Sequence, residues 1–168
     1  YLLDSCQTGP EHAWPGLLVS VPNRGAVYGR CAPEGMIQLD IVAEVGLGLL
    51  RAHQLTGNER WRDACLHWGR LLAEHCDRTP GMPPWNRYAN PEVVDWQDHM
   101  TGGVAYLLTF FDELIRLGLA RPGDGIAEAR EAGRAYLRDT LLPRWTVDDT
   151  WGRNYWDWPD PVQAETTT

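Results

Sequence analysis

The chain has 168 residues, 43% of them hydrophobic and nine of them tryptophan, which is enough for one domain with a real core and too apolar for a disordered segment. Its 15 basic residues, all arginine, are outnumbered by 23 acidic ones, for a net charge of -8; with no basic cluster to meet a phosphate backbone, nucleic acid is not expected as a partner. No apolar run approaches the roughly 20 residues of a membrane span, so no membrane partner is expected either.

The start at Tyr1 and the end at Thr166, Thr167 and Thr168 lead us to expect a piece of a longer parent. Residues 1–35 read as irregular: Gly9-Pro10, Trp14-Pro15-Gly16, Pro22-Asn23, Gly29 and Pro33 punctuate them, and only Leu17 to Val21 has the composition of a short strand. A first hairpin follows over 36–76. Met36 to Leu55 is apolar on nearly every side (Ile37, Leu39, Ile41, Val42, Val45, Leu47, Leu49, Leu50), the pattern of a helix surrounded by others. Leu55-Thr56-Gly57 breaks it and Asn58 caps a second helix. Here Trp61, Ala64, Cys65, Trp68, Leu71, Leu72 and His75 recur at helical spacing opposite a charged face.

Residues 77–95 form a long loop in which prolines 80, 83, 84 and 91, with Gly81 and Asn90, forbid a helix. A second hairpin spans 96–142. Asp95 caps a largely apolar helix running to about Leu117, and a Gly/Pro connection, 118–125, leads to an amphipathic helix. That helix carries Ile126, Ala129, Gly133, Tyr136, Leu137 and Leu141 inward, and Pro143 ends it. Residues 143–168 are a tryptophan-rich C-terminal segment.

Of the cysteines, Cys6 and Cys31 could pair if the protein is exported, the alternative being small buried thiols; Cys65 and Cys76 lie three turns apart on one helix and cannot bridge. No spacing reads as a zinc site, and no cofactor or metal is expected. P-loop, dinucleotide, HExxH and Gly-x-Ser-x-Gly patterns are missing from the sequence.

The order is therefore buried helix, short turn, amphipathic helix and long loop, given twice. This alternation, with the turn Leu55-Thr56-Gly57-Asn58-Glu59-Arg60-Trp61, resembles the (α/α) toroid proteins known as six-hairpin glycosidases and the related polysaccharide lyases over roughly residues 35–145. The resemblance implies an all-α fold, a portion of a toroid of helical hairpins with its long aromatic-rich loops on one face. It also implies further hairpins of the same parent chain as partners and a carbohydrate substrate. If short turns lie at one end, residues 1–35, 77–95 and 143–165 share the other. Seven of the nine tryptophans, 14, 85, 96, 145, 151, 156 and 158, sit in or beside those segments.

Three short echoes mark the same segments: Pro22-Asn23-Arg24 with Tyr28, Trp85-Asn86-Arg87-Tyr88, and Trp151-Gly152-Arg153-Asn154-Tyr155. They read either as loop pins or as a sugar surface. Indole and phenol rings stack on the C–H face of a pyranose, while Asn, Arg and carboxylates meet its hydroxyls or a uronate. The candidate binding residues are Trp85, Asn86, Arg87, Tyr88, Trp151, Arg153, Tyr155 and Trp156. Asp98 and His99, at the loop-bearing end of the second buried helix, are the candidate catalytic pair for proton transfer.

Hydrolysis, which needs two carboxylates about the bond, is favoured because carboxylates outnumber candidate bases. Elimination would use an Asn or Arg on the uronate carboxylate and a Tyr or His base, as Asn86, Arg87, Tyr88 and His99 would supply. On the first buried helix Asp40, Glu44 and Arg51 form a polar stripe, read first as a salt-bridge network between buried helices. A noncatalytic glycan- or protein-binding module is a further alternative. Residues 136–152 are similar to the aromatic repeat of terpenoid cyclases, but Thr146 stands where that motif's first acid belongs. Action on polysaccharide would favour an extracellular or periplasmic location.

Overall fold

A computed structural model of the chain describes residues 1–22, 33–90 and 103–145. Its main elements are helices α2 (Leu39–Thr56), α3 (Glu59–Glu74), α4 (Val104–Arg116) and α5 (Ile126–Ala135). A short α1 (Leu2–Ser5) precedes them; after α5 come a π-helical stretch, Tyr136–Leu141, and one further turn, α6 (Leu142–Trp145). The described residues hold no strand, only isolated antiparallel bridges between Gln7 and Leu18 and between Gln38 and Tyr88. The protein is thus mainly α-helical. No helix among the described residues is long and apolar enough to cross a membrane.

Local chemistry sets the helix ends. Gly57 adopts the left-handed conformation, φ +73°, that closes α2, and its N–H returns to the His53 carbonyl. The Asn58 side chain accepts the Arg60 N–H at 3.1 Å to open α3, as its position after the glycine predicts. In the second hairpin the Asp124 carboxylate, one residue before the Gly125 N-cap of α5, accepts Ile126 N–H at 3.1 Å and Arg121 N–H at 2.7 Å, folding the connection onto itself.

Two hairpins stand side by side: α2 packs on α3 and α4, while α5 packs on α4 and α3. Each closes on the other through glycine. A Cβ on Gly46 of α2 would lie 2.6 Å from the Phe110 ring of α4, and one on Gly69 of α3 would lie 2.5 Å from Leu114 Cδ1. Within the second hairpin, a Cβ on Gly133 of α5 would meet Leu108 of α4 at 2.8 Å. Around these notches Leu50, Trp68, Leu72, Phe110, Phe111, Leu114 and Ile126 are fully buried, each worth roughly 1.5–3 kcal/mol relative to exposure. Cys65 sits in the same contact and donates Sγ–H to the Gly46 carbonyl at 3.3 Å. Across the outside of α4 and α5, Asp112 pairs with Arg130 and, at 3.2 Å, with Arg134.

Several expectations change. The second amphipathic helix does not stop at Pro143: it widens to π geometry at Tyr136–Leu141 and continues as α6. The five-residue step from Tyr136 to Leu141 explains the widening. An α-helix would turn Thr140 inward, whereas a π turn brings Leu141 to 6% exposure beside Tyr136 at 7%. Pro143 then falls in the first turn of a new helical segment, where its missing N–H costs nothing.

Residues 17–21 form no strand; they hold the isolated Leu18 bridge to Gln7 and scattered backbone bonds, among them Val19 N–H to Cys6 O, Ser20 and Val21 N–H to Met36 O and Gly35 N–H to Val21 O. Nor is the N-terminal segment confined to one end of the hairpins. Arg60, at the short-turn end, binds Leu3 O at 3.0 Å and the Asp4 carboxylate, while Trp14 reaches His75 at the opposite end of α3. The segment runs the length of α3 because Cys6, Leu17 and Leu18 enter the common core there.

Asp40 is half-buried and Glu44 exposed, and neither makes an ion pair among the described residues. The charge linking the two hairpins is elsewhere: Glu113 is held below the usual carboxylate range first by hydrogen bonds from Arg116 and further by Arg51. Cys6, Cys65 and Cys76 are buried free thiols, and Cys31 lies outside the described residues.

Gly46→Ala should lower unfolding free energy in a urea titration by about 1–3 kcal/mol through overpacking. Gly48→Ala, with nothing within 4 Å of the added methyl, should instead raise it by about 0.5–1 kcal/mol. Burial pushes the Cys65 thiol up from 9.0 to about 12, so the folded state keeps a proton that the unfolded state gives up. Its contribution to stability is intact below pH 9 and declines as pH rises toward 12. Cys76, pushed up by burial to about 11, adds to the same slope, and Cys65→Ser should flatten part of it in denaturation midpoints measured from neutral to alkaline pH.

Candidate functional site

The loop-bearing end of the hairpins is built from extended chain rather than helix. Leu39, the first residue of α2, donates its N–H to Arg87 O at 2.9 Å, and Ala89 N–H returns to Ile37 O at 3.0 Å. Asn90 then closes the joint with its side chain. Its Oδ1 accepts Ile37 N–H at 2.9 Å and its Nδ2 donates to Gly35 O at 2.6 Å, at 3% exposure. Asparagine suits this place because one short side chain offers an acceptor and a donor to two backbone groups near each other in sequence.

The beginning of the loop is fixed to the end of α3. Arg78 donates to Ala73 O at 2.9 Å, Asp77 N–H to Pro84 O at 2.8 Å, and the Asp77 carboxylate accepts Thr79 N–H at 2.8 Å. Hydrogen bonds from Thr79, first from its side chain and then from its N–H, hold the Asp77 carboxyl below its usual range. Trp85 drives its ring into the core at 2% exposure, donates Nε1–H to Leu72 O at 2.8 Å and lies 5.9 Å from Phe111. On the other side of α3, the bend at Trp14-Pro15-Gly16 is held by Trp68 Nε1–H donating to Gly16 O at 2.9 Å. Gly16 needs its positive φ, +70°, to pass beside His67.

These anchors leave a cavity of about 200 Å³ lined by Trp14, Leu39, His75, Trp85, Asn86, Tyr88 and Ala89. The volume falls below the ~300–1,000 Å³ of drug-sized sites and suits one ring-sized group. Trp14 stacks on His75 with centroids 3.8 Å apart and planes 18° apart, and Asn86 and Tyr88, two residues apart in the loop, both line the same space. Arg87, 6% exposed, places its guanidinium 5.4 Å from the Tyr88 ring centroid, a cation–π distance, and does not line the cavity itself.

Of the residues singled out from the sequence, Trp85, Asn86 and Tyr88 share this cavity and Arg87 adjoins Tyr88. Trp85 is first an anchor: its buried ring and its bond to Leu72 leave little surface for a ligand. Asp98, His99, Trp151, Arg153, Tyr155 and Trp156 lie outside the described residues, as do Arg24 and Trp96. Among the described residues no group of three or more His, Cys, Asp or Glu is placed to hold a metal.

The sequence reading missed His75 and Asn90. His75 ends an apolar helical stripe and reads as core, yet α3 stops at Glu74 and His75 is its exposed C-cap. The signal available was its place one residue before Cys76-Asp77, where the chain leaves the helix. Comparison with known proteins adds nothing to this geometry: no protein-family model, no curated protein and no solved structure matches the chain.

The Asn90 joint gives a direct test. Asn90→Ala leaves the Ile37 N–H and Gly35 carbonyl without their partner and should cost about 1–3 kcal/mol in chemical denaturation. Asn90→Asp sets a carboxylate oxygen against the Gly35 carbonyl in a site only 3% exposed, and should cost at least as much as Ala at neutral pH.

Proposed function

We propose that this chain is a carbohydrate-recognising portion of an (α/α) toroid enzyme, acting on an oligo- or polysaccharide. The observation that carries the reading is the cavity at the loop-bearing end, where Trp14, Tyr88, Asn86 and His75 converge on a space of one ring. Flat aromatic faces with a side-chain amide among them suit a pyranose, whose C–H face is apolar and whose edge is hydroxylated. The side-by-side hairpins, α2 against α4 and α3 against α5, support the toroid reading, since a ring of hairpins repeats that contact. Further hairpins of the parent chain would then continue it beyond residues 1–168.

Hydrolysis is the first reading of the chemistry, with Asp98 and His99 as the proton-transfer pair. Elimination on a uronate glycan is the second, and one observation favours it: His75, Asn86 and Tyr88 line a single cavity with Arg87 adjoining. They are the residue types that would neutralise a uronate carboxylate and take its α-proton. A noncatalytic glycan-binding module would use the same walls and turn nothing over.

Incubation with neutral and uronate oligosaccharides separates these readings. New reducing ends without ultraviolet absorbance of an unsaturated product are the result expected for hydrolysis; absorbance would replace it with elimination. Asn86→Ala and His75→Ala should each weaken binding about tenfold in calorimetry, the loss of one good polar or stacking contact. Binding to no sugar at all would sink the carbohydrate reading.

A further inference from the structure

Three of the five histidines, His12, His67 and His75, grip one bend of chain, residues 12–16, which carries Trp14 into the cavity. They do so in three different ways. The backbone N–H of Trp14 donates to His12 Nδ1 at 3.0 Å, so His12 is held in the neutral form with its hydrogen on Nε2. His67 Nε2 lies 2.6 Å from Pro15 O, and since a carbonyl only accepts, that nitrogen carries hydrogen. His75 offers its ring face to the indole at 3.8 Å.

Protonation affects the three contacts differently. An imidazolium at His67 still donates to Pro15 O, and one at His75 still stacks, gaining a cation–π component. An imidazolium at His12 has no lone pair left at Nδ1, and two N–H groups then face each other. His12 is thus the one histidine of the three whose charged form is incompatible with the bend.

We infer that the Trp14 bend is a proton-operated wall of the cavity: protonation of His12 removes the acceptor at Nδ1, releases the Trp14 amide and loosens that wall. The neighbouring charged and titratable groups are Glu11 beside His12; Asp63 and Arg70 one turn from His67 on α3; and Glu74, Asp77 and Arg78 around His75. Tyr88 lies across the cavity. Thr8 Oγ1 donates to the Trp14 carbonyl and does not titrate, so the bend keeps its carbonyl anchor while losing its amide anchor. The consequence for a ligand, weaker retention in mild acid, rests on the cavity being the binding site as proposed above; the bend itself does not.

Amide hydrogen exchange at Trp14, followed by NMR on the full chain and referred at each pH to the unstructured-peptide rate, tests the inference. Protection should fall about tenfold or more across the pH range in which the His12 ring signals move in the same spectra. His12→Asn places an amide oxygen where Nδ1 stood, accepts at every pH, and should hold protection level. His75→Gln should keep the transition. A wild-type amide whose protection is unchanged over this range, a transition that survives His12→Asn, or one abolished by His75→Gln would each overturn the inference. If the amide behaves as stated and no sugar binds, the carbohydrate reading fails and the proton-operated bend stands.

Discussion

The approach of α2 to α4 at Gly46 is the constraint on which the other contacts depend. With hydrogen in place of a side chain, the Phe110 ring lies where a Cβ of α2 would press on it at 2.6 Å, and the two hairpins close without a gap. Cys65 of α3 binds the carbonyl of the same residue, so one position sets the distance between three helices. Gly69 against Leu114 and Gly133 against Leu108 repeat the device on the other faces. A packed interior cannot yield by an ångström at one notch without moving its neighbours, and the placement of the helix ends follows from these three.

Those ends make the cavity. The loop after α3 is fixed at both margins, by Trp85 on Leu72 and by Asn90 across Gly35 and Ile37, so Asn86, Arg87 and Tyr88 are held between two fixed points. The N-terminal bend brings Trp14 from the far side of α3 onto His75, completing the wall. Because the walls are ordered before anything enters, a ligand would lose little affinity to ordering them. Trp85 and Trp68 hold the scaffold through indole N–H bonds to backbone carbonyls, and Trp14 and Tyr88, themselves buried at 7% and 4% exposure, line the space beside Trp85.

How much of this was legible in the sequence depends on the range of the interaction. Helices with a strong period, their Gly57–Asn58 junction and the all-α class could be read directly, because caps and apolar spacing are local. The π turn was legible in principle, in the five-residue step from Tyr136 to Leu141, but a period of 3.6 hides one extra residue and leaves Pro143 looking like a stop. The course of residues 1–22 along α3 was not legible, since Arg60 to Asp4 and Trp68 to Gly16 are contacts across more than fifty positions. In the site, aromatic and amide residues of the long loop were found by composition. His75 was lost because one histidine at the end of an apolar stripe has the same pattern whether it ends the core or caps the helix.

The central claim is that a ring-sized group of a carbohydrate occupies the space between Trp14, His75, Asn86 and Tyr88. It is tested most directly by following the indole and side-chain amide resonances of the full chain while neutral and uronate oligosaccharides are added. The account predicts that Trp14 indole and Asn86 amide signals shift together and saturably, that Trp85 follows weakly, and that Trp68, fully buried beneath the bend, stays in place. Saturable binding that leaves Trp14 and Asn86 unmoved would contradict it and assign the sugar to another surface.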